Sequence, residues 1–284
     1  METNNSRQAA WVAMGSLFSF GFSIVSSMIL SRYFDKADYG TYKQVMYVYN
    51  TLLTVFTLGL PKAYSYFLPR VNPQEAKDLI NKITRLFFLL GGVFSILLFL
   101  GASLIAQFLK NPDLEIALRY FSLVPFLMLP TMGLEGILST YKKTKFLAGY
   151  TITTRLFMLC CVALPVMIFN LDYIGAIIGF VIASIFSAFL ALYLKVYPVR
   201  NNIKNRTQTS YKEIFQFSLP LMYASLWGVL MSSADQFFIS RFFGLEVFAD
   251  FSNGSMELPF VGMIVGACSV SYTHLRAHET LANL

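Results

Sequence analysis

Long apolar runs separated by short polar stretches organise this chain. Eight runs are long enough to cross a bilayer, at roughly residues 9–34, 42–69, 86–109, 116–140, 146–169, 173–196, 214–243 and 249–270. A spanning helix needs about 20 mostly apolar residues. The runs are continuous, whereas the strands of a spanning barrel alternate over about ten residues. The pattern therefore predicts an all-α polytopic membrane protein with about eight transmembrane helices. The first run is too long for the core of a signal peptide and lacks a basic leader with a small-residue cleavage site, so it reads as a span. The longest polar stretch, PVRNNIKNRTQTSYKE (197–212), follows the sixth run. An earlier one, PQEAKDLINKITR (73–85), mixes apolar and charged residues at helical spacing and reads as a helix lying along the membrane interface.

Composition narrows the class. Of the 284 residues, 56% are hydrophobic and 13% charged, against about 25% charged in ordinary soluble domains. Mean hydropathy is +0.59. The net charge of +7 is spread between the apolar runs, which argues against nucleic acid as a partner and for orientation signals instead. With the N-terminus inside, the inner segments hold thirteen Lys and Arg and the outer ones six, so the positive-inside rule places the N-terminus in the cytoplasm. Lys43 counts among the outer charges and Lys195 among the inner ones. Cys160 and Cys161 are adjacent in one apolar run and Cys268 lies in another; their spacing fits neither a metal site nor a disulfide framework. Both histidines, His274 and His278, fall in the last eleven residues, so no histidine-based centre is expected elsewhere. No loop is long enough for a soluble domain, which speaks against an enzyme and places the function within the bilayer.

One motif occurs twice. SRYFDKADYG (31–40) closes the first run and SRFFGLEVFA (240–249) closes the seventh, 209 residues later. In that register Tyr39 meets Phe248, Gly40 meets Ala249 and Tyr42 meets Phe251. Parallel repeats about an axis along the membrane normal are a recurring transporter architecture, with the substrate path between the two halves. The reading is a first bundle of six helices (1–196), a cytoplasmic linker (197–212) and the first two helices of a second bundle (213–270).

The stretches SRYFDKADYGTYKQ, TLGLPKAYSYFLPR (57–70) and FSLPLMYASLWGVLMSSADQFFISRFFG (217–244) resemble the Wzx-type oligosaccharide flippases. These belong to the superfamily that includes multidrug MATE exporters and the lipid II flippase. The resemblance covers roughly residues 9–269. It implies two six-helix bundles facing each other in a V. It also implies a multi-pass protein of the bacterial inner membrane that moves a polyprenyl-pyrophosphate-linked oligosaccharide between leaflets for surface polysaccharide (O-antigen or capsule) export. Membrane lipids and the polysaccharide assembly machinery are the implied partners, and no cofactor or metal is implied. The chain departs from the pattern by stopping after two helices of the second bundle. Its last stretch, SYTHLRAHETLANL, resembles translated adapter sequence, and 271–284 is read as an artefactual tail on a truncated fragment.

Ionisable groups inside a span cost about 2.5–3.5 kcal/mol each on insertion scales, so each is a functional candidate. Arg155 lies ten residues past Lys145, about 15 Å along a helix at 1.5 Å per residue. Lys62 and Glu135 fall in the inner halves of the second and fourth runs, Asp235 and Glu257 in the outer halves of the seventh and eighth. If the cargo carries a pyrophosphate, as the resemblance implies, Arg155, Lys62, Arg32 and Arg241 are the candidate phosphate contacts of a cavity. Arginine suits this because its planar fork binds phosphate oxygens in pairs. Arg32 and Arg241, at span ends, equally read as residues that snorkel to the interface. Arg155 equally reads as the partner of Glu135 in a structural ion pair. Asp235 and Glu257 read either as ligands of a coupling ion, H⁺ or Na⁺, or as ion-pair partners of Arg241. Competing functions are a cation-coupled multidrug exporter of the same superfamily and a membrane-embedded polysaccharide polymerase or ligase.

Overall fold

A computed structural model of the chain describes residues 2–202 and 205–255. Among these residues the backbone is helical, with turns and no strand. In chain order the helices are α1 (Glu2–Tyr33), α2 (Lys36–Thr57), α3 (Pro61–Phe67), α4 (Ala76–Phe108), α5 (Asp113–Phe121), α6 (Leu123–Met128), α7 (Leu134–Thr140), α8 (Thr144–Phe169), α9 (Tyr173–Val196), α10 (Tyr211–Phe242) and α11 (Leu245–Gly254). Six stretches among the described residues are long and apolar enough to span a membrane: 10–33, 76–108, 113–140, 144–169, 173–199 and 211–242. The protein is a multi-pass membrane protein.

Three expected elements differ. The second run is not one span. The chain turns out of α2 through Leu58 and Gly59, both at positive φ, and restarts as α3 at Pro61. α2 itself carries Lys43, Gln44, Asn50, Thr51 and Thr54, which makes it too polar to stand in lipid alone. The stretch 73–85 is not a separate interfacial helix. It forms the opening turns of α4, and Leu79, Ile80 and Ile83 are buried there. The eighth run begins as α11; its remainder, with Glu257, Pro259 and Cys268, lies outside the described residues, as do His274 and His278.

Capping marks several helix starts. Asp35 accepts a hydrogen bond from the Asp38 amide at the head of α2, and Asp172 accepts one from Gly175 at the head of α9. Ser210 and Glu213 form a capping box at the head of α10. The helix boundaries also repeat. α1 and α10 begin at Glu2 and Tyr211 and end at Tyr33 and Phe242, while α2 and α11 begin at Lys36 and Leu245; each pair is separated by the same 209 residues as the sequence motif.

Lipid offers helices no hydrophobic reason to associate, so close backbone approach by small residues does that work. On α9 the residues Ala176, Gly179, Ala183, Ser187 and Ala191 are buried against neighbouring helices. A Cβ at Gly179 would be driven into the Cys161 carbonyl of α8. α1 lies along α8, with Gly15 facing Ala148. Large apolar side chains point outward instead, among them Leu100, Leu104, Phe189 and Trp227, as a lipid-facing surface requires.

The fourth run is also interrupted. Met132 is extended and Gly133 takes positive φ before α7 restarts. This break packs directly on α3, with Gly133 against the Tyr64 ring and Gly136 against Ser65. Lys195, 1% exposed near the end of α9, reaches into the junction. Its ammonium donates to the Met132 carbonyl at 2.6 Å and to the Tyr64 hydroxyl at 3.1 Å, and Tyr64 shares a hydrogen bond with Thr84. It also sits over the Tyr64 and Phe87 rings, at 4.7 and 5.2 Å from their centroids. Counting Lys195 as a loop charge therefore misplaces it; it satisfies a carbonyl that a broken helix has released.

The stretch after α9 is tied to the start of α4. Asn202 donates to the Pro73 carbonyl, the Thr207 amide to Asp78, the Gln208 amide to Glu75, and Lys82 to the Thr209 carbonyl. Hydrogen bonds from the Asn72 side chain and the Gln208 amide hold the Glu75 carboxyl below its ordinary range. A depressed carboxylate contributes stability above its unfolded value and loses it as pH falls through the folded one. Amide exchange at Gln208, corrected for intrinsic rate, should therefore stay slow at neutral pH and quicken once the pH drops below the ordinary glutamate range. Glu75→Gln should quicken exchange at neutral pH and remove that acid step. The α8–α9 seam gives a second expectation. Gly179→Ala should lower thermal stability in detergent by about 1–3 kcal/mol through overpacking. Gly149→Ala, in α8 with open space around it, should leave stability unchanged or slightly higher.

Candidate functional site

The polarity of α2 dictates what surrounds it. Its buried side chains need protein partners, and the partners come from both halves of the chain. Gln44, fully buried, donates to Ser240 of α10 at 2.8 Å and accepts from Asn111 at 2.7 Å; Asn111 also donates to Thr41. At the head of α2, Lys36 pairs with Asp250 at 3.0 Å and the Tyr39 hydroxyl donates to Asn253 at 2.5 Å, both on α11. Gly40 allows the Leu245 backbone to approach so closely that a Cβ would collide with it. At the opposite end Gly59, at positive φ, leaves no room for a Cβ beside the Ser218 carbonyl of α10. There Tyr66 stacks on Phe217, with centroids 4.1 Å apart. The two repeated motifs thus meet each other: α11 and the end of α10 pack on the head of α2, and the start of α10 packs on the turn that follows α2.

Between those ends the helices part. A cavity of 590 Å³ lies between α2, α10 and α11, lined in part by Tyr47, Thr51, Ser232, Ser233, Asp235 and Gln236. The Tyr47 hydroxyl reaches the Ser233 carbonyl at 3.5 Å across it. A second cavity, of 430 Å³, adjoins it along α2, inside the first group of helices, against α1, α6, α8 and α9. Ser26, Ser27, Tyr49 and Arg155 are on its wall. Lys43, Met46 and Asn50 line both cavities. Lys43 donates to Ser27 of α1 at 3.2 Å. A third cavity, of 350 Å³, adjoins α6, α7 and α8 and holds Arg155 and Glu135 on its wall.

The expected site residues separate into groups. Arg155 and Asp235 line different cavities, which adjoin at Lys43, Met46 and Asn50 of α2. Glu135 shares the third cavity with Arg155, but the described residues contain no ion pair between them within 4 Å. Arg241 forms no ion pair with Asp235; its guanidinium lies 5.5 Å from the Phe242 ring centroid, and one nitrogen is buried without a hydrogen-bond partner. Asp235 instead accepts from the neighbouring Gln236 amide. Arg32 in the last turn of α1 and Lys62 on α3 are exposed and line none of these cavities. Glu257 lies outside the described residues. Sequence reading missed Lys43, Gln44 and Asn50, which the structure places at the centre. The signal was present: Lys43, Gln44 and Asn50 stand inside an apolar run that is otherwise continuous.

The family model of polysaccharide biosynthesis proteins matches residues 6–271. No curated protein matches the chain. Among solved structures, a MOP superfamily transporter from Pyrococcus furiosus, described as having a binding pocket of reversed polarity that suggests a different function, is similar with a TM-score of 0.65 and 16% identity. The likeness covers 83% of this chain and 54% of that one, so the chain spans about half the length of that transporter. At this identity it establishes the fold.

The Gln44 network gives a direct test of how α2 is held. Gln44→Leu leaves Asn111 and Ser240 buried without their shared partner. Unsatisfied buried groups of this kind cost about 1–3 kcal/mol, so the variant should melt earlier in detergent by a corresponding shift.

Proposed function

This chain belongs to the polysaccharide biosynthesis protein family, and from that premise we propose that it carries a polyprenyl-pyrophosphate-linked oligosaccharide from the inner to the outer leaflet. The observation that carries the reading is the cavity between α2, α10 and α11. Hydroxyls and amides from Tyr47, Asn50, Thr51, Ser232, Ser233 and Gln236 offer both donors and acceptors, which is what a saccharide headgroup needs once it leaves water. The contacts near the two ends of α2 are separate sets, one around Gly40 and one around Gly59. Opening one set while the other holds exposes the cavity to one side at a time, which is alternating access. No bond in the cargo is made or broken.

Asp235 is the group on this wall that exchanges a coupling ion, H⁺ or Na⁺. Arg155 carries the phosphate contact proposed for the cargo, while Arg32 and Lys62, away from the cavities, hold lipid headgroups. The placement is the bacterial inner membrane with the N-terminus in the cytoplasm. A cation-coupled multidrug exporter is the competing reading; Lys43 and Arg155 oppose a cationic cargo.

The test is translocation of a fluorescent lipid-linked oligosaccharide in proteoliposomes under an imposed ion gradient. Asp235→Asn should fold normally and lower gradient-driven translocation by about tenfold or more. Undiminished translocation would remove Asp235 from the mechanism. Transport of a cationic dye, but not of the saccharide lipid, would favour the competing reading.

A further inference from the structure

We infer that the turn between α7 and α8, with the rings beside it on α1 and at the end of α9, seats the headgroup of an anionic phospholipid. The inference concerns the surface that meets the bilayer and goes beyond the cargo reading; it holds whatever the cavities carry.

The turn is densely basic. Lys142, Lys143 and Lys145 fall within four residues. Backbone hydrogen bonds from the Lys142 amide to Ser139 and from the Lys143 amide to Leu138 fix its course. Lys142 stands at a φ of 55°, a conformation that glycine or asparagine takes at lower cost. Lys142 and Lys145 are exposed and Lys143 is half-buried. Among the described residues, none of the three ammonium groups forms an ion pair or donates a hydrogen bond. Glu135, the carboxylate of the same helical hairpin, lines the cavities between α1, α7 and α8. The lysines also lie at the positive end of the α8 dipole, which adds to their charge instead of offsetting it. Like charges held this close repel one another until an anion joins them.

The rings place this patch at the membrane boundary. Lys145 lies over Trp11 of α1, 5.9 Å from the ring centroid, and Lys143 lies over Tyr197, just past α9, at 4.3 Å. Tyr197 in turn meets Phe146 of α8 and Tyr193 of α9, with centroids 5.2 and 6.2 Å apart. Trp and Tyr collect where one end of the ring meets hydrocarbon and the other meets headgroups. Apolar surface continues from the patch along α9: Ile182, Ile185, Phe189 and Tyr193 recur at helical spacing and all are exposed.

These two features select the occupant by charge and by shape. A soluble phosphate would meet the lysines and leave the apolar stripe uncovered. A zwitterionic lipid would cover the stripe but bring its own cation to the lysines. An anionic phospholipid does both, with its phosphate beside the ammonium groups and an acyl chain along α9. Clustered lysines beside a membrane attract such lipids.

The sequence supplies a local reporter. It holds two tryptophans, Trp11 on this patch and Trp227 in α10. The full chain carrying Trp227→Phe is placed in phosphatidylcholine nanodiscs with a small fixed fraction of brominated phosphatidylglycerol or brominated phosphatidylcholine. Quenching of Trp11 should favour phosphatidylglycerol by about tenfold or more, and Lys142→Gln should lower that preference by about fivefold. Replacing Lys142, Lys143 and Lys145 together by Gln should abolish it. Replacing all three by Arg should keep both the preference and the melting temperature, which separates loss of charge from loss of fold. With Trp11→Phe, the remaining Trp227 should show no preference. Equal quenching of Trp11 by the two lipids overturns the proposal. So does an unchanged preference in the triple Gln variant, or the same preference at Trp227. Loss of the preference in millimolar glycerol phosphate would assign the lysines to a free anion and overturn the lipid seat as well.

Discussion

A helix as polar as α2 cannot face hydrocarbon, and the rest of the structure is arranged around that constraint. Lys43, Gln44, Asn50 and Thr51 must meet protein or a water-filled space. The surrounding helices meet the demand in two ways. Near its ends α2 is bound closely, through glycines that admit the neighbouring backbone and through the Gln44–Asn111–Ser240 network. Along its middle it borders two adjoining cavities. A more apolar α2 would be easier to insert and would have nothing to offer a polar cargo.

The same rule governs the interrupted helices. A break in a spanning helix releases backbone groups that lipid cannot satisfy. The break after α2 and the break before α7 are placed against one another, so that Tyr64 and Ser65 of one segment pack on Gly133 and Gly136 of the other. Lys195 then supplies the donor for the released Met132 carbonyl. A lysine near a helix end usually runs outward to the interface. This one turns inward because a carbonyl and two aromatic faces meet it there.

How much of this was legible in the sequence follows from the type of signal. Length and hydropathy place α1, α4, α8, α9 and α10 well, because a lipid-facing helix shows its environment in every residue. The repeat was legible too, since Ser31 and Ser240 stand apart by the same offset that the helix boundaries obey. Breaks at Gly59 and Gly133 were not legible, because a single glycine in an apolar run is as often packing as punctuation. Charge counting failed at Lys43 and Lys195, since a one-dimensional tally has no knowledge of which way a side chain points. Among the site candidates, Arg155 and Asp235 reach cavity walls. Arg32 and Lys62 sit at helix ends, where an outward direction is available and taken.

The meeting of α2 with α11 joins matching segments of the repeat. Position 36 pairs with 250 and position 39 with 253, so a residue of the first copy touches one five places further along in the second. In a homodimer built from one such unit, each of these contacts would occur twice, and any substitution would alter both sides together. Joined in one chain, the two copies are free to differ. Thr41 and Gln44 occupy the positions that match Asp250 and Asn253. All four are polar and all four are hydrogen-bonded, yet one pair serves Asn111 and Ser240 while the other serves Lys36 and Tyr39. The matched positions of the two copies hold different partners, and the cavity they border has unlike walls.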